Sequence, residues 1–177
     1  MKYIEEQRLN LWWIYIIIGL ETFVVASVLI FNKNTNWQHM KEIFYSPFLA
    51  LLLPYVIVYV ITRNLFTFEI DECGIQYQFW PFGRRKSISW TKIEELYMRK
   101  YDALGEYGGW GAKNRLWFKL NDKAYIFNDK NIGLQLALSD KKKILFSTNN
   151  LDELTLFLIN LKRQNNIGAI ETDVRER

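Results

Sequence analysis

Residues that could carry acid–base, nucleophilic or metal chemistry are sparse in this chain of 177 residues. His39 is the only histidine and Cys73 is the only cysteine. A zinc site needs several Cys or His ligands, and a nucleophilic thiol needs a base nearby. We expect Cys73 to be a small buried or half-buried thiol and His39 to be polar surface. The sequence therefore predicts a protein that is not an enzyme, with no catalytic residue, no cofactor and no metal site.

Two runs of consecutive basic residues fall at predicted hairpin ends: Arg84, Arg85, Lys86 and Lys141, Lys142, Lys143. A basic side chain near an anionic membrane surface contributes about 1 kcal/mol of attraction. Contact with lipid headgroups is therefore one interpretation of these turns. An ordinary solvated turn is the other.

The most unusual segment outside the apolar runs is Tyr107-Gly108-Gly109-Trp110-Gly111. Its three glycines permit positive φ angles and a close approach of the backbone. Either Trp110 folds over the domain as part of a bulged loop, or the segment is a recognition loop for a protein partner or a lipid. The segment is not a phosphate-binding loop, because the spacings G-x-G-x-x-G and G-x-x-x-x-G-K are absent.

Glu21 is a single charge within an apolar run, and a charge at the centre of a bilayer costs from about 3 to more than roughly 10 kcal/mol. We expect Glu21 to be protonated or paired, with Tyr55 as its partner. The interpretations are a structural hydrogen bond within a hairpin or an oligomer, a proton or ion path, snorkelling to the interface, and a span that is placed wrongly in the sequence.

The elements that would hold these residues begin with two apolar runs, Leu11–Phe31 and Ile43–Thr62. Since a bilayer core about 30 Å thick needs roughly 20 apolar residues, each run is long enough to cross it. The sequence predicts a transmembrane hairpin over 1–64, with helices at about 9–31 and 43–63. The distribution of Lys and Arg favours an integral protein of a bacterial inner membrane, with both termini and the following domain in the cytoplasm.

From residue 65 the pattern changes to the alternation of period two that half-buried strands show, most clearly at 66–70, 75–79 and 134–138. After residue 150 the period becomes 3.6, and an amphipathic helix is predicted with one apolar stripe: Leu151, Leu154, Leu158 and Leu161. The sequence therefore predicts an α+β membrane protein, in which 65–164 form a β-barrel of about seven strands capped by this helix. Residues 165–177 are predicted to be a frayed polar tail.

This order of strands and helix resembles the pleckstrin-homology-like (PH-like) barrel. Local sequences resemble a group of small, uncharacterised bacterial membrane proteins that join a helical hairpin to a bacterial PH-like domain: 74–75, 81–82, 88–93, 106–111 and 133–136. The Y-G-G-W-G motif, Tyr107–Gly111, is the most specific of them. The resemblance implies a fold and a membrane location, and it brings no catalytic residue.

The formal net charge of +4 is mild and does not indicate nucleic-acid binding. The leading hypothesis is a membrane-anchored, non-catalytic interaction module that binds a protein partner, or a second copy of itself, at the lipid bilayer surface. Its contact surface would comprise Tyr107–Gly111 and the two basic turns. A transport or channel-like subunit that uses Glu21 in an oligomer, and a sensor of anionic lipids acting through the basic turns, are the alternatives.

Overall fold

The computed structural model describes residues 1–9, 12–31, 45–116 and 119–175, and within these ranges it describes all side chains except those of 28–30, 45–51 and 172. The chain divides into two compact units. One unit is β-rich and combines Met1–Leu9 with Leu65–Arg177, and the other, helical unit comprises Asn10–Asn64. The helical unit is therefore inserted between the first few residues and the remainder of the β-rich unit.

The helical unit contains α1 (Trp12–Phe31) and α2 (Tyr45–Thr62), which pack against each other. Among the residues that the structure describes, no helix combines the length and the apolarity needed to cross a bilayer. On this finding the predicted transmembrane hairpin is wrong, as is the predicted integral inner-membrane location with cytoplasmic termini.

The first sheet of the β-rich unit is antiparallel, with the spatial order β1-β2-β3-β4. Its strands are β1 (Tyr3–Gln7), β2 (Leu65–Ile70), β3 (Gly74–Trp80) and β4 (Lys86–Ser89). The alternating apolar residues of β2 and β3 face the core, as their period of two predicts.

Strand β1 was not anticipated, because its sequence is short and rich in charge. The buried carboxylate of Glu5 accepts four hydrogen bonds, from the Tyr3 hydroxyl, Gln7 Nε2, the Thr148 hydroxyl and the Asn149 backbone N–H, at 2.6–2.8 Å. These bonds tie β1 to a segment more than 140 residues away in sequence. They satisfy a charged group that would otherwise be costly to bury.

The second sheet has the order β10-β5-β8-β9-β7-β6 and mixes parallel with antiparallel pairs. Its strands are β5 (Ile93–Lys100), β6 (Gly111–Arg115), β7 (Lys119–Ile126), β8 (Ile132–Leu138), β9 (Lys143–Ser147) and β10 (Ile170–Arg175). The predicted barrel of about seven strands is therefore wrong, because the described residues form two sheets of mixed strands. Strand β10 lies in the predicted frayed tail, where it pairs in parallel with β5.

The predicted amphipathic helix is present as α4 (Leu151–Asn165), which follows α3 (Ala103–Tyr107) in the chain. Leu154, Leu158 and Leu161 are buried in a core that both sheets share. Aromatic rings of the two sheets stack there, with 5.4 Å between the centroids of Phe68 and Phe146. Burial of this stripe holds α4 against the sheets, as the 3.6 period predicts.

A second, smaller core lies on the other face of the second sheet. It is formed by Tyr101, Ala103, Tyr107, Ala124, Ile126 and Leu145. The short helix α3 supplies two of these residues, Ala103 and Tyr107, and it contacts the edge strand β6. The glycine-rich segment that follows α3 is positioned by this second core.

Candidate functional site

Tyr107, the first residue of the predicted recognition loop, is the last residue of α3 and is only 2% exposed. Gly108 ends the helix with a φ of 72°, and Gly109 and Gly111 have φ angles of 117° and 101°. The glycines are therefore needed for the positive φ angles that side chains disfavour. Trp110 is 42% exposed, so Trp110 is accessible to a partner and Tyr107 is not.

A network of charged side chains lies beneath this segment. Glu106 is buried and accepts hydrogen bonds from both terminal nitrogens of Arg99, at 3.0 and 3.1 Å. Arg115 lies 3.1 Å from Glu106 Oε2 and also donates to Asp122 Oδ2 at 3.1 Å. Two arginines and two buried carboxylates thus neutralise one another, which makes their burial tolerable.

The Tyr107 hydroxyl joins the two halves of this network. It donates to Asp122 Oδ1 at 3.1 Å and accepts a hydrogen bond from Arg99 Nη2 at 2.8 Å. Burial raises the pKa of Tyr107 above its ordinary value, even though the nearby Arg99 opposes the shift. Burial acts to lower the pKa of Arg99, but Tyr107 and Glu106 together raise it. Tyr107 is therefore a neutral phenol that holds the network together.

In the first basic turn, Arg84–Lys86, one side chain pairs with a carboxylate and the other two line a groove. Arg85 donates to Glu69 Oε2 at 2.6 Å, and Lys2 pairs with the other oxygen of the same buried carboxylate at 2.6 Å. Arg84 and Lys86 instead line a groove between the β3–β4 hairpin and the β6–β7 hairpin. Neither of these two flanking side chains has an ion-pair partner among the described residues.

We call this cleft, which has a volume of about 340 Å³, the aromatic groove. Its aromatic lining consists of Tyr77, Phe79, Phe82 and Tyr125. The rings contact one another, with 5.3 Å between the centroids of Tyr77 and Tyr125 and 5.1 Å between those of Phe79 and Phe82. Burial raises the pKa of both tyrosines, so each is a neutral hydroxyl rather than a base at physiological pH. Lys123 adds a third basic side chain to Arg84 and Lys86.

The second basic turn shows the same division. Lys142 is paired with Asp140, two residues earlier. Lys141 and Lys143 line a second cleft, with a volume of about 370 Å³, together with Arg115 and Lys119. We call this cleft the lysine hollow. In both turns the middle residue is neutralised, and the two flanking residues face a concave surface.

The remaining candidates of the sequence analysis lie apart from these clefts. In the helical unit the Tyr55 hydroxyl is 2.7 Å from the hydroxyl of Thr22, and no hydrogen bond joins Tyr55 to Glu21. Glu21 is exposed within the part of the unit that the structure describes. Cys73 is exposed, so its predicted burial is wrong. His39 lies outside the described residues.

Sequence reasoning did not find Lys119, Lys123, Arg115 or the aromatic lining. A local signal was present, because Lys123 and Tyr125 are two residues apart and share one face of a strand. The approach of that face to Tyr77 involves a strand of the other sheet, and no local pattern encodes it.

In comparisons with known proteins, no family model matches the chain. No curated protein sequence matches it either. The class of the protein is therefore described by its fold alone, an α+β protein with a two-sheet β-rich unit and an inserted helical unit. The resemblance to PH-like bacterial proteins stays a prediction.

Proposed function

We propose that the β-rich unit is a non-catalytic binding module that holds an acidic segment of a partner protein in the aromatic groove. The observation that carries this proposal is the meeting of three basic side chains, each without an acidic partner among the described residues, with a lining of aromatic rings.

The charges of the groove favour an anionic partner. Arg84, Lys86 and Lys123 repel one another across a volume of only about 340 Å³. Nearby Arg85 is paired with Glu69, a carboxylate that it shares with Lys2, so the fold supplies an acidic partner at one position of this turn. Carboxylates of a bound segment would relieve the repulsion among the other three and accelerate association by electrostatic attraction.

The aromatic lining favours a protein segment over a simple anion. Phe82, which is 57% exposed, and the half-buried Phe79 offer apolar surface and ring faces, which an inorganic anion does not use, whereas Tyr77 and Tyr125 are almost wholly buried at the base of the lining. A peptide with an apolar or aromatic side chain between acidic residues would use both kinds of surface. A cleft with an apolar lining and a few directed polar groups is typical of binding sites.

The test uses the full-length chain and a displayed library of random peptides. We expect enrichment of sequences with Asp or Glu on both sides of an aromatic residue. Lys123→Glu should weaken the selected peptides about tenfold, or about 1.4 kcal/mol, because it replaces an attraction with a repulsion.

Lys113→Glu is the matched control for this variant. Lys113 is exposed on the same hairpin, next to Ala112, which lines the groove. Since neighbouring residues of a strand point to opposite faces, Lys113 faces away from the groove and should tolerate the same charge reversal. Equal weakening by both variants, or binding confined to anionic lipid vesicles, would overturn the proposal.

A further inference from the structure

The lysine hollow lies between the β6–β7 hairpin and the β8–β9 turn, and it shares no lining residue with the aromatic groove. The parallel pairing of β7 with β9 places Lys143 opposite Asp122. Lys141 precedes it in the turn with a φ of 62°. Two lysines of one turn, Lys119 of β7 and Arg115 of β6 therefore converge on one concave surface.

The charges around the hollow do not balance. Arg99 and Arg115 neutralise Glu106 and Asp122 within the buried network. Three lysines are left, and none of them has an ion-pair partner among the described residues: Lys119, Lys141 and Lys143. Lys142, which is in the same turn, is neutralised by Asp140. The hollow thus holds an excess of about three positive charges.

Asp122 lines the hollow, but its charge does not oppose an anion there. The carboxylate is 6% exposed, and both of its oxygens are engaged, one by the Tyr107 hydroxyl and one by Arg115. The same contacts hold the Arg115 guanidinium in place from two sides, since Glu106 binds its other terminal nitrogen. The hollow therefore has one cation held by two carboxylates beside three lysines without an ion-pair partner among the described residues.

We infer that the lysine hollow binds a phosphate monoester group. Such a group carries a charge of about −1.5 to −2 and three strong acceptor oxygens. Lysine ammonium groups bind phosphate as point charges with several N–H donors each, and the Asn121 side chain adds an amide to the lining. A carboxylate brings one charge and two oxygens, so it would leave most of the lysine charge uncompensated. A soluble phosphorylated molecule and a lipid headgroup share the required chemistry.

Calorimetric titration of the full-length chain with glycerol 3-phosphate, a phosphate monoester, at low salt is the first arm of the test. Sedimentation with phosphatidylcholine vesicles that contain phosphatidic acid is the second, and vesicles with phosphatidylglycerol, a phosphodiester, are its comparison. Lys143→Ala should raise the Kd for the probe about tenfold, whereas Lys142→Ala should change it less than about twofold, because Lys142 does not line the hollow. Lys119→Ala should repeat the effect of Lys143→Ala and replaces that variant if it misfolds.

Each outcome decides the inference. Binding of glycerol 3-phosphate with this pattern of variants supports a soluble ligand, and binding confined to phosphatidic acid vesicles with the same pattern supports a lipid headgroup. Absence of binding in both arms, equal effects of Lys142→Ala and Lys143→Ala, or equal binding to phosphatidylglycerol vesicles overturns the inference. Lys143→Ala should leave peptide binding in the aromatic groove unchanged, so this inference and the proposed function fail separately.

Discussion

Replacement of Tyr107 by phenylalanine tests the role of the buried charge network, because it removes one oxygen atom and little else. That oxygen donates to Asp122 Oδ1 at 3.1 Å and accepts from Arg99 Nη2 at 2.8 Å. Tyr107 is 2% exposed, so water cannot easily take the place of the lost hydroxyl. The variant therefore leaves a carboxylate oxygen and a guanidinium N–H without this partner.

The expected cost follows from the bonds that remain. A hydrogen bond to a charged group contributes about 1.5–3 kcal/mol, and the variant removes two. Asp122 keeps its bond to Arg115, and Arg99 keeps its bonds to Glu106 and Gln135. Because both charges stay paired, we expect a loss of about 2–3 kcal/mol in the free energy of unfolding rather than the full sum.

Tyr101→Phe is the matched control. Tyr101 belongs to the same small core, and its hydroxyl is a buried side-chain oxygen without a hydrogen-bond partner among the described residues. Its removal should change stability by less than about 0.5 kcal/mol or increase it. Hydrogen exchange of the β7 amides in the full-length chain measures both variants. If Tyr107→Phe is no more destabilising than Tyr101→Phe, the network does not stabilise the unit and the reasoning is refuted.

Two further predictions concern stability. Glu5→Gln should lower the free energy of unfolding, measured by urea denaturation, by about 2–4 kcal/mol. The reason is that an amide N–H₂ would face groups that donate hydrogen bonds to this carboxylate. Glu6→Gln, on the exposed face of β1, is the control and should leave stability nearly unchanged. Burial raises the pKa of five tyrosines above 10, so their contribution to stability is complete below pH 10 and is lost above it, by about 1.4 kcal/mol per pH unit for each: Tyr3, Tyr77, Tyr101, Tyr107 and Tyr125. An unchanged urea midpoint between pH 9 and pH 11 would contradict this.

Elements whose burial is encoded locally could be predicted from the sequence. The alternation at 66–70, 75–79 and 134–138 coincides with β2, β3 and β8, and the apolar stripe from Leu154 to Leu161 is buried in α4. Each of these segments carries its own apolar face, so a period of two or 3.6 is visible without knowledge of its neighbours.

Strands that depend on distant partners could not be predicted in this way. Strand β1 buries Glu5 and Gln7, which become acceptable only through bonds to residues near 147–149. Strand β10 is polar and gains its order from parallel pairing with β5. For the two apolar runs the local signal led to a wrong prediction. Their length predicted transmembrane helices, although the number of apolar residues in a run does not determine what packs against the helix.

The sequence indicated only part of each candidate cleft. Both basic triplets were recognised, but a triplet does not reveal that its middle residue is neutralised while the flanking residues face a cleft. Arg84 and Arg85 precede β4, and the acid that pairs with Arg85 is supplied by β2. A basic run can therefore be recognised as a binding site only when the strands that pack beside it are known.

The glycine-rich segment contributes to the lysine hollow indirectly, through the buried residues that position Arg115. Tyr107 and Glu106 hold Asp122 and Arg115, and Arg115 lines the lysine hollow. Without the positive φ angles after α3, the chain could not turn from Tyr107 into β6, which carries Arg115. Since a free arginine side chain loses up to about 2 kcal/mol of entropy when it is fixed, prior fixation by two carboxylates reduces the cost of binding an anion there. The motif thus contributes to the hollow by positioning one cation, and only Trp110 of its aromatic residues is exposed for direct contact.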